Sequence, residues 1–357
     1  MKNLAVLLTI LPLISLAQHD FDSLVQHYPE FQSKIQKIAD TLDIFNDDKV
    51  LKVTLKSDFK NLIKQKYKDK YQEAILNIDL FDSVKLERKI QIKTRGNFRL
   101  KSCYFPPIKL NFKKKDAILT SLKEFDKIKL VNNCRMQSTY EKYIVAEYLT
   151  YKMYNLVSPY SFRVRLIDLT YIDTGRNNDE YQSLAILIEP DEQLMERLGG
   201  FIIEKEGYSL ALMDSVLENR TSIFQYLIGN TDFDISSIHN MKIFRRSDLT
   251  KEEMIAIPYD FDYSGMVNTP YAIPNEKLRI EDVKQRLFMG SCQPEELFNE
   301  NIRFFMDKRD ELESLIKNCQ YLEDRYREEI LYYLNQGFEN LQNQYTVTKT
   351  FFSSCKN

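Results

Sequence analysis

Oxygen-bearing side chains gather between Tyr226 and Gly265, where Asp232, Asp234, Asn240, Asp260 and Asp262 each fall near an expected strand end or turn. Carboxylates and a carboxamide are hard donors, and a hard cation such as Mg²⁺ is commonly held by one or two protein carboxylates together with phosphate oxygens of a substrate. The chemistry such a set suits is phosphate chemistry. Taken singly, each Asp is also an ordinary turn residue. What raises the pair above that is position: Asp232 follows the apolar run Ile223 to Ile228 and the turn Gly229-Asn230, while Asp260 follows the short run Met254 to Ile257. Both acids then meet at one edge of a small sheet.

A phosphate needs a cation opposite those acids. Alternation along Ile108-Lys109-Leu110-Asn111-Phe112 puts the apolar residues on one face and Lys109 on the other. A lysine held over a cleft by a strand can grip phosphate as a point charge. Lys129, in the similar run Lys127-Ile128-Lys129-Leu130, is the rival. On the helix expected from Thr139 to about Asn155, Ser138 and Glu141 have capping-box spacing. Glu147 sits at the margin of the stripe Ile144, Val145, Tyr148 and Leu149, from which it could reach a cleft-facing lysine.

Around these residues the chain changes period. Residues 18–48 carry Phe21, Leu24, Val25, Tyr28 and Phe31 at helical spacing, a lead-in helix. From Lys49 the apolar residues alternate (Val53, Leu55; Ile75, Ile78, Leu80; Val84, Leu86, Ile90, Ile92), which predicts antiparallel strands ending at the turn Arg95-Gly96-Asn97. Two further strands are expected at Phe162 to Tyr171 and Leu184 to Glu189, and Pro190-Asp191 marks a boundary. Beyond it, helices are expected at Leu210 to Leu217 and Ser222 to Ile228. Others follow after Pro294 and over about Asp324 to Asn343.

The 357 residues suffice for two lobes sharing a cleft. With 50 basic against 52 acidic side chains, no bulk field argues for nucleic acid or an anionic membrane. Residues 1–17 (MKNLAVLLTILPLISLA) read as a secretory signal cleaved after Ala17, too short for a confident transmembrane helix. An exported, soluble, periplasmic or extracellular chain without an integral membrane segment is the expectation, and export permits disulfides. With five cysteines at least one is free or pairs between chains, and nearest-neighbour pairing gives Cys103 with Cys134 and Cys292 with Cys319. With three histidines and no Cys-x-x-Cys, a zinc site is not expected.

Arg95-Gly96-Asn97, Ile108-Lys109-Leu110, Asn230-Thr231-Asp232 with His239-Asn240, and Pro258-Tyr259-Asp260-Phe261-Asp262 resemble, in that order, the CotH-type kinase family, which has a protein-kinase-like fold and is similar to HipA-type kinases. The resemblance spans roughly residues 50–320. It implies an α+β, bilobal, protein-kinase-like fold: an N-terminal lobe (49–190) of mainly antiparallel sheet plus one helix, a mainly helical C-terminal lobe (191–345), and a tail (346–357). It implies ATP with Mg²⁺ or Mn²⁺ as cofactors, Asp232 as the residue taking the acceptor proton, and Lys109 as the phosphate lysine with Glu147 as its helix partner. Asn240 and Asp260 become metal ligands with Asp262 beside them, and the Arg95-Gly96-Asn97 turn lies over the phosphates. The chain departs from the usual kinase pattern in having no Gly-x-Gly-x-x-Gly loop and no His-Arg-Asp triplet, and in its wider spacing from Asp232 to Asn240.

Three functions follow as expectations. The first is an exported kinase-like phosphotransferase acting on Ser or Thr of an exported protein. The second is a catalytically inactive kinase-fold scaffold binding an envelope partner. The third is a metal-dependent phosphoesterase, which the shortage of histidine disfavours.

Overall fold

A computed structural model describes residues 44–81, 84–112, 127–248, 250–353 and 355. The expected signal segment and nearly all of the lead-in helix lie outside these residues. The architecture is α+β, with a sheet-rich N-terminal part and a helical C-terminal part.

The alternating segments form β1 (Leu51–Ser57), β2 (Gln72–Phe81), β3 (Val84–Thr94), β4 (Ile108–Asn111), β5 (Lys127–Val131), β6 (Val164–Asp173) and β7 (Asp179–Ile188). They make the mainly antiparallel sheet that was expected, and that sheet closes on itself as a barrel. The strands close in the order β1-β2-β3-β4-β5-β7-β6, because β6 returns to pair in parallel with β1, Leu51 opposite Ile167. Closure removes both sheet edges and divides the side chains into two sets. Val53, Leu55, Leu76, Ile78, Ile92, Ile108, Leu110, Ile128, Leu130 and Leu169 fill the interior. In β2 the inward residues are Ala74, Leu76 and Ile78, with Ile75 only half-buried.

Val131, Val164, Leu166, Ile186 and Ile188, on the outer face of β5, β7 and β6, join the second core with the helices. The barrel wall thereby becomes the floor for the rest of the molecule. Of the helices, α1 (Phe59–Lys64) and α2 (Phe98–Ser102) interrupt the strands, and α3 (Glu141–Val157) lies against the outer face. A 3₁₀ turn over Ser138–Tyr140 precedes α3, and no side chain caps its first turn, so the Ser138/Glu141 capping box does not form.

β7 ends at Ile188, and α4 (Asp191–Leu198) begins directly after Pro190. A three-stranded sheet follows, β8 (Gly200–Ile203), β9 (Met241–Arg246) and β10 (Met254–Pro258), in the order β10-β9-β8. Instead of two helices before the acids, the chain forms a 3₁₀ turn at Leu210–Leu212 and one helix, α5 (Ser215–Ile228), capped by the Asp214 carboxylate. The polar residues between the two expected helices are buried and bonded within α5: Asn301 donates to Asn219, Glu218 accepts from Ser222 and Ser291, and Thr221 meets the Tyr154 hydroxyl. The long helices α6 (Glu295–Lys317) and α7 (Asp324–Gln342) complete the core.

Cys103 is bonded to Cys134, as sequence proximity suggested, but Cys292 is bonded to Cys355 and Cys319 is free. The reason is α6. Cys292 and Cys319 flank its two ends, and 23 residues of helix span about 35 Å, against the roughly 7 Å limit between disulfide-bonded Cα atoms. Among the described residues, no helix is long and apolar enough to cross a membrane.

Candidate active site

α5 ends on Gly229, whose left-handed φ of +64° turns the chain sharply; a Cβ there would lie 1.9 Å from the Tyr333 hydroxyl oxygen. The turn is stabilised by Asn230, buried, which donates to the Gln225 side chain and accepts from the Asp232 backbone N–H. Asp232 is thereby fixed just beyond the helix. Its two carboxylate oxygens are shared: Oδ1 contacts His239 Nε2 at 2.9 Å and Oδ2 accepts from Asn240 Nδ2 at 2.9 Å. Asn240 Nδ2 also reaches the Asp232 carbonyl at 2.8 Å. The Asp232 hydrogen bond raises the His239 pKa, so the ring carries positive charge further toward neutral pH than a free imidazole.

β9 and β10 carry the second acidic group to the first. The Tyr259 N–H donates to the Asn240 carbonyl at 3.1 Å, joining the two loops, and the Asp260 N–H donates to the Tyr151 hydroxyl of α3 at 2.8 Å. Asn240 and Asp260 both adopt left-handed backbone, φ +51° and +64°, a conformation that Asn and Asp tolerate better than most residues but that still costs free energy. These two residues fall where the chain enters β9 and leaves β10, in the two loops that the Tyr259 N–H to Asn240 carbonyl bond joins.

Behind Asp260 lies a buried charge cluster. Arg99 of α2, 7% exposed, brings Nη1 to 3.5 Å from Glu147 Oε2 and 3.7 Å from Asp262 Oδ2. Asp262 also accepts from the Tyr271 hydroxyl at 2.8 Å. Burial, reinforced by Asp260, pushes the Asp262 carboxyl up to about 7 against the pull of Arg99. Burial likewise raises Glu147 well above the usual carboxylate range. Phe98 stacks edge-on against Tyr263 and lies near Tyr271, and Cys103, the residue after α2, is fixed by its disulfide. The Arg95-Gly96-Asn97 turn is thus attached to the acid cluster by the helix that follows it, and Gly96, at φ +90°, supplies the conformation the turn needs.

The expected pairing of Lys109 with Glu147 is replaced. Glu147 is paired with Arg99, a residue the sequence reading did not single out. Lys109 stands half-buried on the outer face of β4 between its cross-strand neighbours Lys93 and Lys129. Burial and the nearby Lys93 and Arg95 charges lower its pKa. Lys93 is taken by Asp69 at 2.5 Å and Lys129 by Asp191 at 2.8 Å, while Lys109 makes no ion pair or hydrogen bond with a described residue. Lys129 lies nearer the acids by one measure: its ammonium is 5.5 Å from the ring centre of Tyr259, the residue before Asp260. The charge of Arg95 acts on Lys109 and Lys129 of the lysine row and on Glu147, Tyr151 and Tyr259 beside the acids.

A divalent cation suits part of this donor set. Asn240 uses only its amide N–H₂ toward Asp232, leaving Oδ1 as an oxygen donor, and the Asp260 carboxylate accepts no hydrogen bond and makes no ion pair among the described residues. Asp262 is further back, covered by Arg99 and Tyr271. Among the described residues no three His, Cys, Asp or Glu side chains gather as a metal-binding group, so a cation here needs phosphate or water oxygens to complete its shell.

The Asp262 geometry gives a prediction. Its raised folded-state pKa means that the folded protein binds a proton more tightly than the unfolded chain. The resulting stabilisation is full below the ordinary value of 3.8 and is lost as pH rises toward 7. With divalent metal chelated, Asp262→Asn is expected to flatten the decline of urea-unfolding free energy between about pH 4 and 7. Glu147 contributes a slope of the same sign that the variant retains. An unchanged pH profile would show that Asp262 is ionised in the metal-free fold.

No protein-family model matches the chain, and no curated protein matches it in sequence. Among solved structures, it is similar to the Helicobacter pylori proinflammatory kinase CtkA at 10% identity and a TM-score of 0.35, over 73% of this chain and 92% of that one. A likeness of that size carries no argument about fold or reaction.

Proposed function

We propose that this chain is an exported, kinase-like phosphotransferase that moves the γ-phosphoryl group of ATP to a Ser or Thr hydroxyl of an exported protein, with 49–190 and 191–345 as its two lobes. The observation that carries the reading is the joined pair of loops: Asp232 hydrogen-bonded to Asn240, eight residues on, and Asn240 bonded through its carbonyl to the strand end that presents Asp260. Phosphoryl transfer asks a protein chiefly to position groups and to neutralise charge. In this reading Asp232 takes the proton of the acceptor hydroxyl as its oxygen bonds to phosphorus and the bond to the leaving ADP oxygen breaks. Asn240 and Asp260 hold Mg²⁺ or Mn²⁺, which neutralises the phosphate charge when bound, with Asp262 as the acid behind them. Arg95, Gly96 and Asn97 cover the phosphates, and Lys109 approaches them from the barrel wall. The two disulfides support export, since such bonds persist in oxidising compartments.

A second reading, a kinase-fold scaffold without catalysis, is favoured by one observation: Glu147 and Asp262 are 1% and 3% exposed, closed off by Arg99 and Tyr271. The two separate by experiment. Incubation with γ-labelled ATP and Mg²⁺ or Mn²⁺ should label an exported acceptor. In calorimetric titration, Asp260→Ala is expected to weaken metal-dependent ATP binding by about tenfold or more, the equivalent of losing one charge-assisted contact. Affinity without transfer would leave the scaffold, and the absence of both would overturn the kinase reading.

A further inference from the structure

Lys242, which no reading of the sequence singled out, shares a carboxylate with Lys129. The Lys129 ammonium lies 2.8 Å from Asp191 Oδ1 and the Lys242 ammonium 2.9 Å from Oδ2. Asp191, the first residue of α4, thereby ties β5 of the barrel wall to β9, where Lys242 follows Asn240 by two residues. The two ammonium groups stand 5.5 and 6.0 Å from the ring centre of Tyr259. Tyr259 precedes Asp260, and its N–H is bonded to the Asn240 carbonyl. The bridge therefore rests against the loop that joins the two proposed cation ligands.

Both lysines have donors to spare. An ammonium carries three N–H groups, and among the described residues each of these two meets a single acceptor, Asp191. Their side chains are 23% and 20% exposed, so the remaining donors are within reach of a ligand. The charges do not cancel either. Two lysines against one carboxylate leave one positive charge, and the half-buried Arg95 and Lys109, which make no side-chain hydrogen bond or ion pair with a described residue, bring it to three. The exposed Glu204, whose charge acts on Lys242, offsets one of these. Cations gathered and partly desolvated with idle donors are a preorganised receptor for a polyanion.

Resting on the phosphotransferase reading above, we propose that Lys129 and Lys242, held by Asp191, grip the phosphate chain of the metal-bound nucleotide alongside Arg95 and Lys109. Asp191 is a positioning residue. It holds two like charges side by side that would otherwise repel one another, and it competes with the phosphate for them.

Calorimetric titration of the full chain with ATP and Mg²⁺ at constant ionic strength, read beside urea unfolding of each variant, tests this. Lys129→Met and Lys242→Met are each expected to weaken binding by about tenfold, the scale of one charge-assisted contact. Asp191→Asn keeps an acceptor oxygen for the lysines but removes the competing charge, and is expected to tighten binding by about threefold. Lys152→Met, the same loss of charge at a pair outside this cluster, should leave the affinity unchanged. A bridge that only ties β5 to β9 would instead lose affinity in Asp191→Asn and in the lysine variants alike, in step with stability, and that result would overturn the proposal. So would equal weakening by Lys152→Met. Affinity indifferent to both lysine variants, yet still weakened by Asp260→Ala, would overturn the bridge and leave the phosphotransferase reading standing, whereas a wild type that binds no ATP would overturn both.

Discussion

Asp232→Ala is expected to lower phosphoryl transfer by about 10³-fold, the scale on which a positioned general base contributes, while leaving ATP affinity within about threefold because the proposed cation ligands are other residues. The expectation rests on how Asp232 is held. Each of its carboxylate oxygens has one fixed neighbour, His239 on one side and Asn240 on the other, and its backbone N–H is tied to Asn230. The side chain is 35% exposed, so substrate can reach it and its removal leaves no cavity in the core. Asp232→Asn separates chemistry from architecture. Its carbonyl oxygen can still accept from Asn240, and the variant should melt with the wild type, yet it cannot accept the hydroxyl proton and should be as slow as the alanine variant. Steady-state rates with labelled ATP, read beside melting curves, make the comparison. Equal rates in wild type and Asp232→Ala would remove Asp232 from the chemistry, and a transfer rate that tracked only melting temperature would do the same.

Strand content was legible in the sequence because period-two alternation records which face is covered, and the barrel interior residues Val53, Leu55, Ile92, Ile108 and Leu110 are those the alternation marks. Closure was not legible. It depends on β6 pairing with β1 more than a hundred residues earlier, and alternation reports one strand's faces without naming its neighbour. The two acidic turns were visible from Gly, Asn and Asp after apolar runs, and the structure does join them. What could not be read was the cation. Arg99 sits in the polar run Phe98-Arg99-Leu100-Lys101-Ser102 with nothing in its spacing to separate it from a solvated arginine. It is buried because the Cys103–Cys134 disulfide and the Phe98 ring fix α2 against Asp262 and Tyr271. Lys109 had the better local signal, a lysine alternating with strand apolar residues, but that pattern fixes only which side of the wall it occupies. The same limit explains Cys292. Sequence proximity suggested Cys319, and only the rigid length of α6 rules it out.

Removing the Arg99 charge is expected to be the most destabilising single change in the site. Arg99→Met keeps most of the side-chain volume but leaves Glu147 and Asp262 buried without their cation, and breaking a buried pair in this way costs about 3–5 kcal/mol. The geometry limits what the cation itself contributes. Its contacts to the acids are 3.5 and 3.7 Å, longer than hydrogen bonds, and Arg99 Nε and Nη1 and Glu147 Oε1 are buried without hydrogen-bond partners among the described residues. The cost of the variant therefore comes mainly from the two stranded acids, which take up protons to escape ionisation in a buried site. Two consequences distinguish this account from simple loss of packing. The deficit should shrink as pH falls, since protonated Glu147 and Asp262 need no counter-charge. The combination Arg99→Met with Glu147→Gln and Asp262→Asn should recover most of the lost stability, because a neutral cluster of similar volume replaces the charged one. Urea unfolding at pH 5 and pH 8 for the four proteins concerned, wild type, Arg99→Met, the acid pair and the triple variant, decides it. A deficit independent of pH, or a triple variant no more stable than Arg99→Met alone, would mean that Arg99 stabilises the fold through its packing against the Tyr271 ring rather than through its charge.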